Sequence, residues 1–151
     1  MLTRVRNTVL AGAAVFALAA CDDTTTSPEP HPTVADMAGT YTATSAQWTA
    51  TADAGINYDL IQAGGSYEMQ INQNGTVTTR VVRDGFDDVT GTGTIALDQQ
   101  GNMTFTQNGS ARPIEYTFQN NTLSWTDTGA MWDFGLGSGL EASTFQGAFV
   151  R

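Results

Sequence analysis

YEMQINQNGTVTTRV, residues 67–81, alternates apolar and polar side chains on both sides of Asn74-Gly75. Successive side chains of a β-strand point to opposite faces, so each half of this segment predicts a strand with one apolar face. Asn-Gly tolerates the positive φ angles that a two-residue hairpin turn requires. The segment therefore predicts a β-hairpin, and the neighbouring sequence repeats its pattern.

Similar alternating runs are separated by the turn signals Gln99-Gln100-Gly101, Asn108-Gly109 and Asn120-Asn121. We expect strands near residues 39–49, 65–73, 76–83, 91–98, 102–107, 113–119, 122–127 and 142–150. A further stretch near 130–134 is expected to extend or replace one of them. Residues 54–63 break the alternation, so we expect a short helix or a lid-like turn there.

This pattern predicts an all-β fold. Threonine, glycine, asparagine and glutamine are abundant, which favours strands joined by tight turns. A sheet of short antiparallel strands exposes two unpaired edges unless it closes on itself. We therefore predict a small antiparallel up-and-down β-barrel of about eight strands with one short helix. A two-sheet sandwich is the alternative.

The N-terminal residues predict an export signal. Arg4 and Arg6 precede an unbroken run of apolar and small residues at 9–20. At about 1.5 Å per residue, this run forms a helix much shorter than a bilayer core, which is typical of a signal peptide. The run ends in LAAC at 18–21, which resembles the lipobox of bacterial lipoproteins.

The lipobox resemblance implies that a diacylglyceryl group is attached to Cys21 and that residues 1–20 are removed as a signal peptide. Two acyl chains anchor a protein stably, because each buried methylene contributes about 0.8 kcal/mol. We therefore expect an exported protein, held on a bacterial membrane through the lipid on Cys21, on the periplasmic side or at the cell surface.

Residues 21–36 follow as a Pro/Thr-rich segment. Pro28, Pro30 and Pro32 stand at alternate positions, which favours extended chain and prevents a helix. We expect a disordered tether over 21–36 and a single folded domain over 37–151.

Charge and residue types exclude several functions. Removal of residues 1–20 leaves four arginines, no lysine and 15 acidic residues, a net charge of −11. This acidity repels phosphate backbones, so we expect no nucleic-acid partner. His31 is the only histidine and lies in the tether, which excludes a Ser-His triad and a histidine-based zinc site in the domain. We expect no enzymatic activity, no cofactor and no metal.

Acidic loops are the remaining candidates for metal ligands. Asp84, Asp87 and Asp88 share one loop. Ca²⁺ takes six to eight oxygen ligands, and this loop lacks a full ligand pattern. We interpret it as a solvated turn.

Gly39-Thr40-Tyr41 resembles the Gly-x-Trp start of lipocalins and their calycin relatives, with Tyr in place of Trp. In calycins a basic residue late in the barrel packs over this first-strand aromatic, and the resemblance gives that role to Arg151. Such a contact contributes about 0.5–2 kcal/mol. The run 39–151 is also similar to the short lipocalin-like domains of bacterial lipoproteins, through YDLI at 58–61, GSY at 65–67, NGTV at 74–77 and WDFG at 132–135.

The family resemblance implies an up-and-down barrel and, in larger members, a cavity for small apolar molecules. The candidate ligand-binding residues are Tyr58, Leu60, Tyr67, Trp125 and Trp132. Residues 58–63 are expected to cap the mouth. In the alternative interpretation the aromatic side chains fill the interior, and the chain is a structural or protein-interaction lipoprotein of the cell envelope. A filled interior, without a cavity of about 300 Å³ or more, would argue against the binding function.

Overall fold

The computed structural model describes residues 31–151. Within them, one short helix precedes nine strands: α1 (Val34–Met37), β1 (Gly39–Ala50), β2 (Asn57–Asp59), β3 (Ser66–Ile71), β4 (Thr76–Val82), β5 (Val89–Leu97), β6 (Met103–Gln107), β7 (Ser110–Gln119), β8 (Thr122–Asp133) and β9 (Leu140–Val150). All the strand pairings are antiparallel. No helix in this part of the chain is long and apolar enough to span a bilayer.

Eight of the strands close into a barrel. From β3 to β9, each strand pairs with the next along the chain, and β1 pairs with both β3 and β9. The predicted all-β barrel is confirmed, and the sandwich alternative is excluded because the sheet returns to its first strand. The stretch near 130–134 extends β8, after an irregularity between Asp127 and Ala130.

Of the two structures expected within residues 54–63, a turn is present from residue 60 onward and the short helix does not form. Asn57–Asp59 instead forms β2, which pairs with Gln47–Thr49 of β1. Leu60 follows in a turn and is fully buried. A strand of three residues is too short to show an alternating pattern, so the sequence gives little sign of it.

The one helix of the described residues is α1, which begins in the segment that we assigned to the tether and ends at the first residue of the predicted domain. Thr33 caps it: its side chain accepts from the Asp36 backbone N–H, and the Asp36 carboxylate accepts from the Thr33 N–H at 2.8 Å. This reciprocal pair is a capping box. Met37 at the end of the helix is fully buried, and its carbonyl accepts a hydrogen bond of 2.6 Å from the Tyr41 hydroxyl. Residues 21–30 of the predicted tether lie outside the described residues.

Arg151 and α1 cover the same end of the barrel, which we call the closed end. The guanidinium of Arg151 donates to the Ala38 carbonyl at 2.6 Å and to the Asn121 side-chain oxygen at 2.9 and 3.1 Å. Its central carbon lies 5.9 Å from the ring centre of Tyr41 and 5.4 Å from that of Phe118. The structure thus places Arg151 beside Tyr41 and ties together the helix, the first strand and the β7–β8 turn.

Candidate ligand-binding cavity

A cavity of about 520 Å³ opens at the end of the barrel opposite α1. We call this end the mouth, and its connections are residues 51–65, 83–88, 108–109 and 134–139. All eight barrel strands contribute residues to the cavity wall. The volume falls in the range of about 300–1,000 Å³ that is usual for small-molecule sites.

Aromatic rings form a large part of the apolar wall. All three tryptophans of the chain, Trp48, Trp125 and Trp132, line the cavity, together with Phe105 and Phe145. The Trp48 and Trp132 rings are stacked, with centres 3.8 Å apart and planes inclined by 17°. Phe145 lies 4.6 Å from Trp48, and Phe105 meets Trp125 edge to face at 5.5 Å. Because these rings pack against one another, this part of the wall is formed without a ligand.

Two glycines make room for these rings. A Cβ atom at Gly93 of β5 would overlap the ring of Phe105. A Cβ atom at Gly147 of β9 would lie 2.6 Å from the Phe145 ring and 2.7 Å from the Phe149 ring. Real Cβ contacts are longer than this, so a larger residue at either position would displace the rings. The wall therefore depends partly on glycines, which leave space for the rings because they have no Cβ atom.

The five predicted ligand residues do not all reach the cavity. Tyr67, Trp125 and Trp132 line it, whereas Tyr58 and Leu60 do not. Tyr58 packs behind the wall, with its ring centre 5.5 Å from that of Trp132. Leu60 is buried under the mouth connection. Both residues support the wall rather than present a surface to the cavity.

Tyr67 adds a phenol to the wall. Its ring meets Phe149 edge to face, with centres 5.2 Å apart. Burial raises the pKa of Tyr67 to about 12, and a hydrogen bond with Thr79 opposes this only in part. The phenol is therefore neutral at physiological pH.

A buried ion pair crosses the cavity wall. The guanidinium of Arg112 meets the carboxylate of Asp127 through two contacts of 2.8 Å from Nε and one of 2.7 Å from Nη2. Asp127 also accepts from the Gly129 N–H at 2.9 Å, and its side chain is 6% exposed. The central carbon of Arg112 lies 4.9 Å from the ring centre of Phe105. Within the wall, Arg112 and Asp127 therefore neutralise each other's charge.

Arg83 is the second cation of the wall. Its central guanidinium carbon lies 4.4 Å from the ring centre of Phe86 and 4.9 Å from that of Trp132. One terminal nitrogen donates to the Asp133 backbone carbonyl at 3.4 Å. In contrast to Arg112, Arg83 has no carboxylate partner among the described residues.

Sequence reasoning missed the charged residues of this site, although a signal for them exists. Asp127 continues the inward register of Leu123 and Trp125 in β8. Arg83 likewise continues the register of the buried Val77 and Val81 in β4. A charged residue at an inward position must find a partner or a ligand. The register of the strands therefore could have identified these residues.

The acidic loop and Cys21 are the other sites that the sequence suggested. Within residues 31–151, no group of three or more His, Cys, Asp or Glu residues is arranged to hold a metal ion. In the acidic loop, Asp88 instead accepts hydrogen bonds of 2.6 and 3.0 Å from Arg80. Cys21 lies outside the described residues.

Two further hollows occur on the barrel, of about 490 and 420 Å³. The first lies near Gly101 and Tyr116, and the second lies between His31 and Leu97. Neither includes a tryptophan or a phenylalanine. The cavity at the mouth is therefore the better candidate for an apolar ligand.

Comparison of the chain with protein-family models, with curated proteins and with solved structures found no match.

Proposed function

We propose that this chain is a membrane-anchored lipoprotein whose lipocalin-like β-barrel binds a small apolar ligand in the cavity at its mouth. The observation that carries the proposal is a cavity of about 520 Å³ whose wall includes every tryptophan of the chain. Anchoring through Cys21 is supported by the lipobox-like LAAC at 18–21. The barrel therefore serves as an exported binding module.

The physical reason for binding is the apolar wall. Each Å² of apolar surface that a ligand removes from water contributes about 25 cal/mol. The Trp48–Trp132 stack and the edge-on Phe105–Trp125 pair present ring faces and edges that suit a flat or elongated apolar molecule. Because the wall is already packed, the ligand orders few side chains on entry, which lowers the entropic cost of binding.

A second function is favoured by the rim of the mouth. The connections and strand ends there expose large apolar side chains: Phe86 (62% exposed), Val89 (48%), Met131 (52%), Leu136 (61%) and Leu140 (68%). Clustered exposed apolar groups often mark contact surfaces for other proteins. This rim supports the alternative proposal of a protein-interaction lipoprotein of the cell envelope.

Filling the cavity tests the binding proposal. Ala130 is buried and lines the cavity, so Ala130→Phe adds a ring inside it. We expect 2-ethylnaphthalene to bind the wild-type protein and to bind Ala130→Phe at least about tenfold more weakly, because the added ring takes the ligand's volume. Isothermal titration calorimetry measures both affinities.

Ala96→Phe is the matched control, because Ala96 of β5 is exposed on the outside of the barrel. It should bind the probe as the wild type does, with a circular dichroism spectrum unchanged in all three proteins. If Ala130→Phe does not fold, Ala130→Leu replaces it as the cavity-filling variant. A wild-type protein that shows no binding contradicts the proposed function and leaves the protein-interaction alternative.

A further inference from the structure

Two hydrogen-bond donors in the cavity wall have no acceptor among the described residues. They are Nε of Arg83 and Nε1 of Trp132, and both atoms are buried. Both residues line the cavity. A buried donor without a partner costs about 1–3 kcal/mol, and more when the group is charged. Folded proteins seldom leave such groups unmatched, so these two donors are candidates to bind a polar group of a ligand.

The two donors belong to neighbouring groups. The guanidinium carbon of Arg83 lies 4.9 Å from the ring centre of Trp132, so the two residues are neighbours in the wall. The guanidinium is held in place by Phe86 on the mouth connection and by its long hydrogen bond to the Asp133 carbonyl. An arginine that is fixed by aromatic contacts keeps its remaining N–H groups free for a planar acceptor.

The other charged groups of the wall have contacts of their own. Arg112 and Asp127 neutralise each other through a bidentate contact. The Asp133 carboxylate accepts from the Gly135 N–H at 2.8 Å, and only its backbone carbonyl meets Arg83. Asp88 on the nearby acidic loop is paired with Arg80. Within the described residues, Arg83 is thus the cation of the wall that lacks an anion.

We propose that the ligand of this cavity is an amphipathic carboxylate. Its apolar body lies against the tryptophan and phenylalanine wall, and its carboxylate accepts hydrogen bonds from Arg83 and from Nε1 of Trp132. Charge-assisted bonds of this kind are about twice as strong as neutral ones, and the planar fork of arginine matches the two carboxylate oxygens. This inference rests on the proposed function and adds the chemical class of the ligand.

The acidity of the whole chain does not oppose an anionic ligand. At physiological ionic strength, charges separated by more than about 8 Å are largely screened from each other in solvent. The ligand carboxylate instead meets Arg83 directly, in a wall where aromatic rings limit screening by water. Direct contact with Arg83 therefore acts on the ligand carboxylate more strongly than acidic residues beyond that distance.

Three probes that share one ring system test the inference: naphthalene-2-carboxylate, its methyl ester and 2-ethylnaphthalene. We expect the wild-type protein to bind the carboxylate most tightly and the hydrocarbon most weakly, as measured by calorimetry. Arg83→Met keeps an apolar side chain but removes the donors. It should weaken binding of the carboxylate at least about tenfold, and leave binding of 2-ethylnaphthalene within about twofold of the wild type.

Arg80→Met is the matched control, since Arg80 lies on the outer face of β4, the strand that ends just before Arg83, and its side chain is 53% exposed. It removes the same charge and should preserve the preference for the carboxylate. A loss of preference in both variants would indicate a long-range charge effect and overturn the inference. Trp132→Phe removes only the indole donor, and we expect it to reduce the preference for the carboxylate while hydrocarbon binding persists.

The outcomes separate the two proposals. Equal binding of all three probes by the wild type overturns the carboxylate inference and keeps the apolar cavity. Binding of none of the probes overturns the proposed function and the inference with it. A carboxylate preference that persists in Arg83→Met contradicts the role given to that residue.

Discussion

Asp127→Ala should lower the free energy of unfolding by about 3 kcal/mol, because it leaves the Arg112 guanidinium without its carboxylate inside the barrel. The Arg112 side chain is only 23% exposed, so water replaces the lost partner poorly. The change also removes the acceptor of the Gly129 N–H at the irregularity in β8. Urea denaturation followed by circular dichroism measures the loss.

Two controls identify the cause of this loss. Asp88→Ala breaks an ion pair on the outside of the barrel, where the Asp88 side chain is 41% exposed, and should cost less than about 1 kcal/mol. The double variant Arg112→Met with Asp127→Leu removes both charges and should recover most of the stability. If Asp127→Ala lowers the free energy of unfolding no more than Asp88→Ala does, the Arg112–Asp127 ion pair does not stabilise the core.

Cys21→Ser should abolish lipid labelling and release the protein from the membrane fraction. Cys21 is the only cysteine of the chain, so no other thiol can accept the diacylglyceryl group. Without acyl chains, the anchoring contribution of about 0.8 kcal/mol per methylene is lost. Metabolic labelling of a bacterial host with a clickable fatty acid, followed by membrane fractionation, measures both effects.

Thr25→Ser in the predicted tether is the control for this variant, because it changes a neighbouring residue and leaves the thiol in place. It should be labelled and sedimented like the wild type. A wild-type protein that carries no label, or equal labelling of Cys21→Ser, contradicts the proposed anchor and the localisation that follows from it.

The strands could be predicted because their signals are local. The hairpin turns use residues that adopt positive φ, as Gly75 does at 85° and as Asn120 and Asn121 do at 50° and 63°. Each such turn fixes the register of the strands on either side of it. Closure followed from the count of strands with one apolar face and the need to remove open edges.

The helix and β2 could not be placed because their stability comes from distant partners. Asn57–Asp59 is a strand only because β1 extends past β3 and offers it an unpaired edge. The helix α1 has four residues and depends on Thr33 at its start and on burial of Met37 at its end. Short elements of this kind contribute too little periodic pattern to be recognised.

The cavity was only partly predictable for a related reason. The sequence shows many aromatic residues, but their number alone does not decide whether they fill a barrel or line a space within it. Trp48 and Trp132 belong to β1 and β8, and their stacking depends on how the closed sheet aligns these strands. The register of inward positions does identify Arg83 and Asp127, which residue type alone did not.

Fluorine NMR of the protein labelled with 5-fluorotryptophan tests ligand binding inside the barrel most directly. The chain has three tryptophans, and all of them line the cavity, so each resonance reports on its wall. Saturation with naphthalene-2-carboxylate should shift the resonances of Trp48, Trp125 and Trp132, and should shift them less in Ala130→Phe at the same concentration. Three resonances that keep their positions in the wild type at saturating probe would contradict binding inside the barrel.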